Sequence, residues 1–162
     1  MNSHLKTQDG AHTVEFAIVG AMFFILLFGA IEFGRLMFVW NTLDEVSRKS
    51  ARVAAVCPVN HSAIRRVGMF DAAVSSGASP VLPGLDEANI RIDYLDLSGS
   101  AVDPATNYLD IAFVRSEVTA VRHRLIIPFF FQEFDLPSFI TVLPRESLGV
   151  SPEGTDCFGT IS

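Results

Sequence analysis

The polar–apolar pattern divides the chain into unequal parts. A short polar leader precedes Phe16–Ile31 (FAIVGAMFFILLFGAI), sixteen residues with no charge and no strongly polar side chain. As a helix this run spans about 24 Å, short of a hydrocarbon core of about 30 Å. Its polar flanks make up the difference, because Glu15 and Arg35 stand twenty steps, about 30 Å, apart on a helix axis. The pattern then changes without a break. Leu36, Val39, Leu43, Val46, Ser50 and Val53 recur at steps of three and four, with Asn41, Asp44, Glu45, Arg48, Lys49 and Arg52 on other faces. No proline interrupts the chain before Pro58. One helix is expected from about 11 to 56, apolar all round over 11–35 and amphipathic over 36–56. Asp44 and Glu45, four residues ahead of Arg48 and Lys49, are expected to form ion pairs on a solvated face.

The rest, 57–162, reads as a small α+β domain. Asn60–Ser76 carries Ile64, Val67, Phe70 and Val74 at helical spacing, with Asn60 or Ser62 as cap. "NIRIDYLDL" alternates as a half-buried strand, with Ile90, Ile92 and Tyr94 on one face. "SGS" at 98–100 is a turn, followed by a loop to Asn107. A long strand is expected from Asp110, with Ala112, Val114, Val118 and Ala120 on its apolar face and Ser116 interrupting them. "SFITVL" is a third strand, stopped by Pro144. Without crossover helices between them, the strands are expected to be antiparallel and to pack on the amphipathic half-helix. The aromatics Phe129, Phe130, Phe131 and Phe134 are expected in loop core, with an exposed contact surface as the alternative.

Composition supports a membrane segment joined to an ordinary domain. Apolar residues make up 49% of the 162 and mean hydropathy is +0.37. The formal net charge of −6, with no basic run, gives no footprint for nucleic acid. A cleaved secretory signal fits poorly: the leader is weakly basic, and Glu32-Phe33-Gly34-Arg35 follows the run where a small-x-small site would stand. Orientation stays open on charge, since Arg35, Arg48, Lys49 and Arg52 outnumber Lys6 and taken alone would put the C-terminal side in the cytoplasm. The four histidines show no metal-ligand spacing, and the chain has neither a phosphate loop nor a nucleophile elbow. His123, between Arg122 and Arg124, is read as a surface strand residue. No catalytic residue, cofactor, metal or small-molecule substrate is expected, and the chain is not read as an enzyme.

The start of the helix carries a resemblance. Gly10 and Ala11 are followed by Glu15 and Phe16 and then the apolar run, which is similar to the processing site of type IV prepilins and pseudopilins. "VEFAIVGAMFFILLFGAIEFGRLMFVWNTLDEVSRKSARVAAV" resembles, nearly end to end, the TadE-like proteins of the tight-adherence (Flp) pilus machinery. "LPRESLG" at 143–149 resembles their tail. The resemblance implies a leader over 1–10, removed by a prepilin peptidase after Gly10, with Ala11 as the new N-terminus. Glu15 and Phe16 become the fifth and sixth residues of the mature chain, and Glu15 is the group expected to meet a neighbouring subunit's α-amino group.

The implied partners are other pilins or pseudopilins, the assembly platform, the peptidase and the bacterial inner membrane. The N-terminus would lie in the cytoplasm and the domain 57–162 in the periplasm, against the Lys/Arg count. That compartment permits a Cys57–Cys157 disulfide. Ala17 and Ala21, and Ala30 and Gly34, give spacings for close helix approach, while Glu32 and Arg35 can pair within the helix or between subunits. The competing reading is an uncleaved, membrane-anchored periplasmic binding module.

Overall fold

The computed structural model describes residues 9–71, 77–127 and 132–150. Its frame is α1, Asp9–Val56, an unbroken helix of 48 residues, about 72 Å long. The first half stands free. Its most apolar window has mean hydropathy 2.4 and none of it is buried, so the helix is long and apolar enough to cross a membrane. The second half carries the domain: Leu43, Val46, Ser47, Ser50, Ala51, Ala54 and Ala55 are all buried. Small residues on this face let the sheet lie close against the helix.

Four antiparallel strands form that sheet: β1 (Ile90–Leu95), β2 (Ala101–Val102), β3 (Phe113–Val118) and β6 (Phe139–Pro144), in the order β2-β1-β3-β6. The register pairs Tyr94 with Val114 and Val114 with Leu143. Residues directly opposite share a face. Ile90 and Tyr94 of β1, Val114, Ser116 and Val118 of β3, and Phe139 of β6 are thus buried on the helix side. Ser47 on α1 donates from Oγ to the Ser116 carbonyl at 3.3 Å and bonds Thr141 Oγ1 at 2.9 Å, fixing the helix to the two strands. Two further strands, β4 (Arg122–Arg124) and β5 (Glu133–Asp135), make a separate ribbon. The architecture is α+β, as the pattern predicts.

The end of α1 is closed from a distance. A helix leaves its last four carbonyls without intrahelical partners. Here Glu146 and Leu148 donate their backbone N–H groups to the Ala55 carbonyl at 3.1 and 3.2 Å. Gly149 donates to Val56 at 2.6 Å, and Ser147 Oγ donates to Val56 at 3.0 Å. The "LPRESLG" segment is therefore the cap of the long helix. Gly149 adopts φ 85° against Pro58, a position that a side chain would contest.

Several expectations change. Among the described residues of the stretch predicted helical, Asn60–Ser76, the helix is α2, Ala63–Gly68. Gly68 packs where a Cβ would strike Ser50, and Phe70 turns to φ 67°. Neither Asn60 nor Ser62 caps α2 through its side chain; the Ala63 N–H is accepted by His61 Nδ1 at 3.1 Å. Val74 lies outside the described residues. The long strand breaks after Val118, where Ala120 takes φ 57° and is exposed while Asn89 Nδ2 donates to the Thr119 carbonyl at 3.0 Å. Of the predicted ion pairs, Arg48–Asp44 forms at 2.9 Å, but Lys49 lies over the Phe70 ring at 4.2 Å. Phe134 is half-exposed rather than core, and Phe129, Phe130 and Phe131 lie outside the described residues.

Candidate functional site: two carboxylates bordering the apolar run

Glu15 and Glu32 flank the apolar run, and the fold treats them differently. Glu15 sits near the start of α1, with its side chain 77% exposed. Among the described residues its nearest partner is His12 Nδ1 at 3.9 Å, itself 79% exposed. A pair that open contributes little. Phe16 beside it is also exposed. The backbone of Gly10 and Ala11 belongs to the first turns of α1, five and four residues before Glu15.

Glu32 is buried although it stands on a helix whose neighbouring side chains are bare. Arg35 Nη1 donates to both carboxylate oxygens, at 2.7 and 2.8 Å. The sequence anticipates this pairing at i, i+3. Two further partners come from the ribbon: His123 Nε2 lies 2.8 Å from Oε1, and the Ile126 backbone N–H donates to Oε2 at 3.2 Å. His123 is thus buried, not the surface residue that its arginine neighbours suggest. Period two explains it: Arg122 and Arg124 point out to solvent and His123 points in. The signal in the sequence was an acid one step past an apolar run, since a carboxylate there must be paired to be tolerated.

The other expected site residue is Cys57, fully buried where α1 ends and disulfide-bonded. Cys157, the other cysteine of the chain, lies outside the described residues. At the far end of the sheet an open groove of about 820 Å³ is lined by Asp96, Asp103, Asp110 and Arg145. Among the described residues, no three His, Cys, Asp or Glu side chains stand where they could hold a metal ion.

Both carboxylates, Glu15 and Glu32, fall within the stretch that a known family's model matches. Residues 10–52 match the family described as TadE-like protein. The similarity to that family is confined to this segment. The match begins at Gly10 and contains Glu15, Phe16, Glu32 and Arg35. It stops within the amphipathic half of α1, so the TadE-like segment includes none of the sheet or ribbon. Neither a curated protein nor a solved structure matches the chain. The match covers the helix that is long and apolar enough to cross a membrane.

Proposed function

We propose that the chain is a pseudopilin of a tight-adherence pilus, cut by a prepilin peptidase after Gly10 and assembled through its N-terminal helix. The observation that carries this reading is the open state of Glu15. It borders the apolar run five residues after Gly10 and, among the described residues, has only an exposed histidine at 3.9 Å for company. The comparable group at the other end, Glu32, is fully engaged within the fold. A lone carboxylate at the centre of a membrane helix costs about 2.5–3.5 kcal/mol. An opposite unit charge at about 4 Å returns roughly 4 kcal/mol at an effective dielectric of 20. The α-amino group that cleavage creates on Ala11 of a neighbouring subunit would supply that charge and favour docking in one register. Glu15 near the positive end of the helix dipole is consistent with the same arrangement.

In this reading 1–10 is the leader, 11–35 spans the inner membrane, 36–56 continues the helix and 57–162 is periplasmic. An oxidising compartment is consistent with pairing of Cys57 with Cys157. That pairing would close a loop of about a hundred residues, worth about 4–5 kcal/mol in the chain-entropy account. Mass spectrometry of the mature N-terminus tests the proposal. A chain that starts at Ala11 in cells with an active prepilin peptidase is expected, and one retaining Met1 sinks it. Gly10→Ala is expected to block maturation. Glu15→Ala is expected to mature normally but to lose piliation, and unchanged piliation would remove the charge role.

A further inference from the structure

We infer that the β4–β5 ribbon is a second membrane contact: its outer end, at Ile126 and Phe134, lies on the bilayer interface beside α1. The inference rests on the reading of α1 as a membrane span. The ribbon starts in the core, where Val121 is buried in one cluster with Leu43, Val46 and Phe139 and is backed by Val39 and Leu136. There the Leu136 N–H donates to the Val121 carbonyl at 3.0 Å. Its other end meets Glu32 through His123 and the Ile126 N–H. Leu43 and Glu32 are eleven residues apart, about 16 Å on the axis. The ribbon therefore runs along α1 toward the apolar run, not away from it.

The height of that end follows from the helix. The apolar run covers about 24 Å of a hydrocarbon core of about 30 Å. A bilayer that covers the run therefore reaches past Ile31 to the level of Glu32. Helical side chains also lean toward the N-terminus, so groups gathered at the Glu32 carboxylate lie over the turn before it. At this level the ribbon presents Ile126, 67% exposed, and Phe134, 50% exposed. Phe134 pairs directly with His123 and shares its face. Exposed apolar side chains in water are a liability, whereas aromatic rings are favoured at the membrane interface. The two arginines and two acids of β4 and β5 cancel, so the contact is apolar rather than a basic attraction to anionic lipid. Lipid is the occupant because the surface is continuous with the lipid-facing run of α1.

Depth-dependent quenching tests this on the full chain. Trp40 is the only tryptophan, so Trp40→Phe gives a silent background. Phe134→Trp is added to it, with Ile126→Trp as an independent reporter. Phe24→Trp reports on the apolar run and Leu97→Trp on the far end of the domain. Each protein is reconstituted into phosphatidylcholine–phosphatidylglycerol vesicles containing lipids brominated near the headgroup or deep in the chain. At 134 and 126, most of the indole fluorescence should be lost to shallow bromines and little to deep ones, unchanged by salt. Phe24→Trp should be quenched by deep bromines and Leu97→Trp by neither. If Phe24→Trp is quenched while Phe134→Trp and Ile126→Trp are not, the ribbon does not touch lipid and the inference fails with the span intact. If Phe24→Trp is itself unquenched, the span reading fails and the inference with it.

Discussion

Removing the Glu32 carboxylate should free the ribbon while leaving the sheet closed. In Glu32→Ala, the Ile126 amide loses its acceptor at 3.2 Å and His123 loses its partner at 2.8 Å while still buried. Hydrogen bonds to a charged group are worth about 1.5–3 kcal/mol each. The Arg35 bonds add less, because that side chain is 38% exposed and water competes for it. The two bonds from the ribbon, one buried and one part-buried, thus contribute about 3 kcal/mol to its closing. Each 1.4 kcal/mol is a factor of ten, so local opening should become about a hundred times more frequent.

Amide hydrogen exchange on the full chain in micelles reads this directly. Leu125 and Leu136 are the cleanest reporters, because their acceptors, the Gln132 and Val121 carbonyls, survive the substitution. Their protection should fall about a hundredfold, while Ala112 and Thr119, bonded to Leu95 and Asn89, should not change. Glu32→Gln keeps an acceptor for Ile126 and should lose only about tenfold. A change of less than about threefold at Leu125 and Leu136 in Glu32→Ala would refute the claim that this carboxylate holds the ribbon.

Gly149→Ala should cost at least about 2 kcal/mol in thermal unfolding, from the left-handed backbone and from a Cβ that would meet Pro58. Gly84→Ala, at φ 90° with open space around it, should cost only about 1 kcal/mol, and equal losses would remove the cap packing from the account. Tyr94→Phe should cost about 1 kcal/mol, because the Tyr94 hydroxyl accepts from the Asn60 N–H at 3.0 Å; an unchanged melting temperature would show that water replaces the bond. Asp96 is held below its ordinary 3.8 by the Ser98 hydroxyl and by the Ser100 amide. A carboxylate with a depressed folded value stabilises the turn above the ordinary value and releases it as pH falls through the lower one. The Ser98 and Ser100 amide shifts should therefore titrate with a midpoint under 3.8, and a midpoint at or above it contradicts the bonding.

Elements set by periodicity could be read from the sequence, and elements set by contact could not. The stripe Leu43, Val46 and Ser50 is buried as a 3.6 period requires, and β1, β3 and β6 follow the alternation of their residues. The two- and three-residue strands β2, β4 and β5 carry too little pattern to be seen. α2 ends where Gly68 meets Ser50, a contact between positions eighteen residues apart, and periodicity alone carries the helix on to Ser76. The site was half legible. Glu32 and Arg35 are local and the spacing found them; His123 lies 91 residues from Glu32, and nothing local joins the two. The R-H-R alternation held the missing information, since it places the histidine on the face opposite both arginines.

The two carboxylates carry the same residue type at the same kind of boundary, and only their surroundings separate their tasks. Glu32 collects a guanidinium, an imidazole and a backbone amide from its own chain, so it has no acceptor capacity that a neighbour needs to fill. What it gains is a fixed ribbon at one end of the apolar run. Among the described residues Glu15 gains nothing comparable, which leaves it open to a partner from another molecule. Seventeen residues separate them, about 25 Å on the axis, well beyond the distance at which substitutions couple directly. A chain built this way keeps its fold-locking charge away from its proposed assembly charge. In the proposed assembly, helices would exchange partners at Glu15 without loosening the domain that α1 carries.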